Sequence, residues 1–172
     1  MIRKAEFSAC GNYRYTLTRQ WGFGGTVCWI LLNPSTADAQ RDDPTNRRGI
    51  NFSKAWGYGG CVFVNLFAYR ATDPKVMLAA EQPVGTENDA YIVSEANAAD
   101  LVVIGWGNHG AHRRRDVHVL RMLENEVRWE PECLGVTNKD QPKHPLYLSK
   151  YTKLEPWSIF SGPVSRLRRH DL

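Results

Sequence analysis

Three stretches of the chain place polar, chemistry-capable residues directly after apolar runs. The run 27–32 stops at Asn33, Pro34, Ser35 and Thr36. The run 61–64 stops at Asn65, followed by Leu66, Phe67, Ala68, Tyr69 and Arg70. The run 133–136 leads through Thr137 and Asn138 to His144, Pro145, Leu146, Tyr147 and Leu148. Two carboxamides and an imidazole can grip a planar heterocycle by its edge if the fold brings them together, because they supply directional donors and acceptors in an otherwise apolar crevice. Each also has an ordinary explanation. Asn33-Pro34 can end a strand with Ser35 capping a turn, Asn65 can satisfy loop backbone, and His144 before Pro145 can be a plain loop residue. Function is expected from the three jointly, not from any one.

The elements that would have to position them follow from pattern. Residues 13–18 alternate as a half-buried strand does, and a glycine-rich turn over 21–25 separates them from the run 27–32, so the two segments are expected to form a hairpin leading into a central strand. Continuous apolar runs at 27–32, 61–64 and 101–104, with a shorter one at 133–136, have the character of strands covered on both faces. Between them lie helix starts: Asp43 before Pro44 (to about Trp56, stopped by Gly57), Asp73 before Pro74 (to about Ala80), and a capping box over Thr86, Glu87, Asn88 and Asp89 (to about Ala98). In the first helix Ile50, Ala55 and Phe52 are expected inward, with Arg47, Arg48 and Lys54 wet. A last helix is expected over about 112–127, with Val117, Leu120, Leu123 and Val127 at helical spacing. Strands alternating with helices predict an α/β fold: a three-layer α/β/α sandwich around a central, mainly parallel sheet, with an N-terminal hairpin. In such sheets ligands sit at the carboxyl ends of the strands, which is where Asn33, Asn65 and His144 fall.

Composition narrows the classes. The chain has 172 residues, 42% hydrophobic and 23% charged, which describes one globular domain over 1–172 with a basic tail from about 160. The tail carries Arg166, Arg168, Arg169 and His170 and is expected to be a frayed, solvated end. Lys and Arg number 22 against 18 Asp and Glu, leaving a net charge of +4 that permits a nucleic-acid partner without demanding one. The longest apolar run is far short of a membrane span, and residues 1–6 lack the apolar core of a signal peptide, so a cytoplasmic protein with no membrane partner is expected. Cys10, Cys28, Cys61 and Cys133 are widely spaced with no CxxC pair; Cys28 and Cys61 have the character of small core residues, and neither a metal nor another cofactor is expected.

Gly105-Trp106-Gly107-Asn108-His109-Gly110 spells G-x-G-x-x-G after a strand and before a helix, so a dinucleotide-binding enzyme is one reading. Bulky Trp106 and the lack of an acid at the end of the next strand count against it, and a tight turn whose amides face a phosphate is the alternative. Arg113, Arg114 and Arg115 follow. They are either a solvated face or, since cations are unfavourable at a helix start, phosphate contacts; Arg70, Arg113 and Arg114 are the candidate phosphate residues. Trp21, Phe23 and Tyr147, in loops, are candidates for stacking on a base.

The segments Leu31-Leu32-Asn33-Pro34-Ser35-Thr36-Ala37-Asp38, Trp56-Gly57-Tyr58-Gly59-Gly60, Asn65-Leu66-Phe67-Ala68 and His144-Pro145-Leu146-Tyr147-Leu148 resemble a bacterial and phage family catalogued as a domain of unknown function, over roughly residues 10–157. More distantly, the order of motifs is similar to that of the uracil-DNA glycosylase superfamily. That resemblance implies a DNA-base N-glycosylase without cofactor, acting on a flipped, modified base. Asn33 would orient a water, Asn65 would read the base edge, His144 would donate to the departing base, and Leu148 would act as a wedge, with Pro34, Ser35 and Tyr147 also contacting substrate. The chain differs from the superfamily pattern at Leu31 and Ser35, where glycines are usual, at Ala71 after Arg70, at Leu146 after His-Pro, and in having no iron–sulfur cysteines. A non-catalytic nucleotide or nucleic-acid binding module on the same scaffold is the alternative.

Overall fold

The computed structural model describes residues 1–160; the arginine-rich tail lies outside the described residues. Seven strands form one sheet: β1 (Ile2–Phe7), β2 (Arg14–Gln20), β3 (Thr26–Leu31), β4 (Gly60–Asn65), β5 (Leu101–Ile104), β6 (Glu132–Cys133) and β7 (Glu155–Pro156), in the order β1-β2-β4-β3-β5-β6-β7. The four central strands β4, β3, β5 and β6 are parallel, whereas β1 on β2, β2 on β4 and β7 on β6 are antiparallel. The fold is therefore α/β with a mixed sheet, and the expected parallel character is confined to its centre.

The expected hairpin is replaced by a different one. β4 lies between β2 and β3, and the hairpin joins β2 to β1. β1 escapes a hydrophobic-pattern reading because its residues are nearly all exposed, as befits a polar edge strand. The glycine-rich turn does not fold β2 back on β3. It crosses the start of β4, where Trp21 and Gly22 both donate from their backbone N–H to the Gly59 carbonyl, at 2.9 and 3.0 Å. A side chain at Gly59 would meet the Gly22 and Phe23 carbonyl oxygens at 2.7 Å, so only glycine allows this crossing.

Alternation along the strands divides the core. Val27, Trp29, Leu31, Cys61 and Phe63 pack with Ile50 and Phe52 of α1 (Pro44–Ala55). Cys28, Ile30, Val62 and Val64 pack with Met77 of α2 (Pro74–Ala79), Ile92 and Ala96 of α3 (Asn88–Ala98), and Val119, Met122 and Leu123 of α4 (Arg115–Glu126). Cys28, Cys61 and Cys133 are free thiols in these clusters.

The Asp-Pro signals are observed: Asp43 accepts from Asn46 N–H at 2.8 Å and Asp73 from Lys75 N–H at 2.9 Å. The capping box is not. Glu87 makes no side-chain cap, and α3 is instead anchored by Asn88, whose amide donates to the Asn65 and Leu66 carbonyls. Ala55 is exposed and Arg48 only half so. α4 begins at Arg115, after a 3₁₀ segment Asn108–Arg114 in which Arg113 and Arg114 take φ of 53° and 54°. Val119, Met122 and Leu123 form its buried face, while Val117 and Leu120 are only half-buried.

Close packing of α1 makes a sharp prediction. A Cβ at Gly49 would sit 2.5 Å from Phe63 Cε1 and 2.9 Å from Cζ, and Phe63 is itself fully buried. In an exposed helix Gly→Ala gains about 1 kcal/mol. Gly49→Ala is expected instead to destabilise by about 1–3 kcal/mol through overpacking, read as a lower urea midpoint.

Candidate functional site

The carboxyl ends of β3, β4 and β5 open toward the loop 32–43 and the start of α1. Two arginines of β2 hold that loop. Arg19 donates to the Asp42 carboxylate at 2.7 Å and to the Asp38 carbonyl, and Arg14 donates from Nη1 to the Ala37 carbonyl at 2.9 Å. The Asp38 carboxylate accepts from Gln40 and Arg41 N–H, both at 2.8 Å, and these bonds hold its pKa below the usual range.

Arg14 is 2% exposed. Burial lowers its pKa to about 10, opposed chiefly by the charge of Asp43. Its Nε has no hydrogen-bond partner among the described residues. Asp43 is itself buried at the N-cap of α1, where the Asn46 side-chain nitrogen, turned toward the carboxylate, donates to both oxygens at 2.8 Å. Asn65 pairs with Leu31 across the parallel ladder and shares the α1 side with Phe63 and Cys61 by alternation. It is 2% exposed and its Oδ1 has no partner among the described residues.

His144 reaches the same end of the sheet from the loop after β6. Lys143 O, Pro145 Cδ and Leu31 Cδ2 all crowd Gly105 at the end of β5. Arg48 of α1 donates to the Pro145 and Leu148 carbonyls, so a residue expected to be wet tethers the histidine loop. The loop is held from the other side by Trp106 Nε1 donating to Gln141 Oε1 at 2.8 Å and Gln141 Nε2 donating to Asp116 at 2.9 Å. Burial depresses the His144 pKa to about 4, with Asp43 pulling the other way. The imidazole is therefore neutral at pH 7. Its Nδ1 accepts from Leu146 N–H at 3.3 Å, which puts the remaining proton on Nε2.

Asn33 is placed differently. It lies on the same rim, but its Nδ2 donates to the Ala71 carbonyl at 2.8 Å and the Pro34 carbonyl at 3.1 Å, lacing the loop to the segment after β4. Pro34 is buried, and Ser35 Oγ lies 3.4 Å from Thr72 Oγ1. Leu148 packs back on the α1-side core, while Tyr147 is 90% exposed. Arg70 lies over the Phe7 ring at 4.8 Å and donates to the Gly11 carbonyl. Arg113 donates to the Ala80 and Glu81 carbonyls. Arg114 is exposed, and Arg115 is buried on the Leu66 carbonyl and Asp89. Trp21 and Phe23 sit at the opposite end of the sheet, where Trp21 donates to the Tyr58 carbonyl. Trp106 is turned into the core beneath the glycine-rich loop.

Residues 14–146 match the family described as protein of unknown function (DUF1643). The chain belongs to this family. No curated protein and no solved structure matches it. The match to DUF1643 spans Arg14, Asn33, Asp43, Asn65 and His144 and stops just before Tyr147 and Leu148. Among the described residues no group of His, Cys, Asp and Glu is arranged to hold a metal ion, and no helix is long and apolar enough to cross a membrane.

Arg14, Asp43, Asn46 and Arg48 were not legible as site residues. Asp43 looks like an ordinary cap, and Arg14 is one polar position in an alternating strand. The expected half-buried alternation gives no signal for Arg14, because Arg14, Tyr15, Thr16 and Leu17 are all buried and the strand is covered on both faces here.

Because His144 is held neutral, it takes up a proton on unfolding anywhere between its folded pKa of about 4 and the unfolded value near 6.5. The unfolded state then binds more protons, so stability must fall as pH drops through that window, by about 2–3 kcal/mol from this residue. Urea unfolding of wild type and His144→Gln at a series of pH values should show the difference in slope confined to pH 4–6.5. Equal slopes would mean that His144 is not desolvated.

Proposed function

We propose that this chain is a nucleobase N-glycosylase-like hydrolase acting on a flipped base, with a uracil-DNA-glycosylase-like three-layer arrangement. Helices packed on the two faces of the sheet support the arrangement. The observation that carries the activity is the neutral His144, its proton on Nε2, at the same rim as the unpartnered Asn65 Oδ1 and the buried cation of Arg14.

Breaking an N-glycosidic bond leaves an oxocarbenium-like sugar and an anionic base. Most of the barrier is removed by donors and charge aimed at that anion. His144 Nε2–H donates to the developing oxyanion of the base. Arg14 supplies a positive field that cannot be titrated away near neutral pH. Asn65 reads the base edge, its Oδ1 accepting from a ring N–H. Asn33 has spent its N–H groups, so its Oδ1 is the atom left to orient water at the sugar carbon. In the histidine loop the exposed Tyr147, more than Leu148, is placed to fill the gap left by a flipped base, at a flipping cost of a few kcal/mol.

One observation favours a second reading, a binding module without chemistry. The Asn33 amide is committed to two carbonyls, and a module needs no positioned water.

Oligonucleotides carrying uracil, hypoxanthine or larger modified bases, assayed for alkali-labile abasic sites, separate the two. The glycosylase reading expects abasic product, with His144→Ala cutting turnover roughly 10²–10³-fold, the scale of losing one oxyanion donor, while binding changes by only a few-fold. Equal losses in binding and turnover would remove His144 from the chemistry, and tight, salt-sensitive binding with no product would favour the module.

A further inference from the structure

A concavity lies beside the Asn33 tether. It is an open cleft of about 410 Å³, within the range of small-molecule sites, lined by Asn12, Ser35, Thr36, Tyr69, Arg70 and Thr72 with the Gly11 and Ala71 backbone. The wall between it and the Asn33 side of the rim is a backbone pair: Ala71 N–H donates to the Pro34 carbonyl, and Ala71 O accepts from Asn33.

The lining has one chemical character. It offers four hydroxyl-bearing residues, one of them the aromatic Tyr69, with a carboxamide and a guanidinium, and no carboxylate. Asp73, next along the chain from Thr72, has its carboxylate engaged by Lys75 N–H. Arg70 is held in place by stacking on Phe7 and by its bond to the Gly11 carbonyl, yet it forms no ion pair among the described residues. Its Nε is buried without a partner, and its Nη2 makes no bond to the protein among the described residues. Its charge is one of those that make the buried Arg14 cation harder to hold. A pre-positioned, uncompensated guanidinium among hydroxyls matches a phosphate, which accepts charge-assisted bonds from Arg and neutral bonds from Ser and Thr.

We infer that this cleft is a phosphate subsite, so that the adjacent site takes a nucleotide unit and not a free base or nucleoside. The base would lie on the Asn65 and His144 side of the Asn33–Ala71 wall and the phosphate on the Arg70 side. This assignment rests on the reading above for the base, but the phosphate contact can be measured without any base release. The phosphate can come from a mononucleotide or from a strand backbone.

The test is titration of the full chain, followed by amide NMR, with inorganic phosphate, deoxyuridine, deoxyuridine monophosphate and a short uracil-containing single strand. Inorganic phosphate should shift the amides of Ser35, Thr36 and Thr72. The monophosphate should bind at least about tenfold more tightly than the nucleoside, and Arg70→Gln should erase that advantage. Because Arg70 also packs on Phe7, the double variant Ser35→Ala/Thr72→Val provides a second arm and should weaken phosphate while leaving the remaining spectrum folded. A strand outbinding the mononucleotide identifies a backbone phosphate, and the reverse identifies a free nucleotide. No phosphate-induced shift at these amides, or an unchanged phosphate affinity in both variants, overturns the inference. Phosphate binding without abasic product leaves this subsite standing and removes only the glycosylase chemistry.

Discussion

The burial of Arg14 is the constraint around which this end of the molecule is arranged. Withdrawing a guanidinium from water costs several kcal/mol, which must be returned by nearby charge and hydrogen bonds. Arg19, five residues along the same strand, is settled by a direct ion pair with Asp42. Arg14 has the Ala37 carbonyl and the through-space charge of Asp43, with a smaller contribution from Asp38. Asp43 can serve because the Asp-Pro pair starts α1 there, and Asn46 on the first turn holds its carboxylate in place. Strand, loop and helix start are thus tied by one electrostatic requirement, and removing the Asp43 charge would disturb the helix cap, the buried arginine and the field at His144 together.

That requirement is met only in part, and the shortfall is localised. Five buried side-chain atoms lack a partner among the described residues: Arg14 Nε, Asn65 Oδ1, Arg70 Nε, Asn88 Oδ1 and His112 Nε2. All belong to residues at or beside the carboxyl ends of the central strands; Asn88 is bonded to the Asn65 carbonyl, and His112 lies against Phe67. At the opposite end the accounts close. Trp21 bonds the Tyr58 carbonyl, and Asp100 accepts from Thr26 N–H at 2.8 Å. Unmet buried groups cost about 1–3 kcal/mol each, and such costs persist where a ligand is meant to meet them.

The parts of the structure that obey a local rule were visible in the amino-acid order. Runs of Val, Ile and Leu gave the central strands because parallel strands are covered on both faces, and Asp-Pro gave two helix starts through a side chain reaching its own backbone. What was hidden depends on non-local partners. β1 is a polar edge with no apolar period, so its pairing with β2 leaves no trace in hydrophobicity. The insertion of β4 between β2 and β3 depends on a glycine, Gly59, whose role appears only when the turn 21–25 is seen crossing it. Asn33, Asn65 and His144 each follow a central strand, as their place in the sequence implies, yet nothing in their spacing shows that Asn33 would turn its amide onto Ala71. Arg14 and Asp43 become site residues only because folding brings a strand arginine beneath a helix cap.

The division of labour between Arg14 and His144 follows from the same physics. Desolvation disfavours an imidazolium at His144 more than the charge of Asp43 favours it. Burial keeps His144 uncharged, and the Leu146 N–H fixes which nitrogen carries its proton. Arg14 contributes charge, with Nη1 committed to the Ala37 carbonyl. His144 contributes direction without charge. In the proposed reaction they would supply a departing anionic heterocycle with a stabilising field and one aimed donor. Because the arginine does not titrate near neutrality and the histidine has already lost its proton well below it, the pair stays in one protonation state across the physiological range. Under the proposed mechanism such a site would work by fixed electrostatics, with no proton uptake by His144 before the bond breaks.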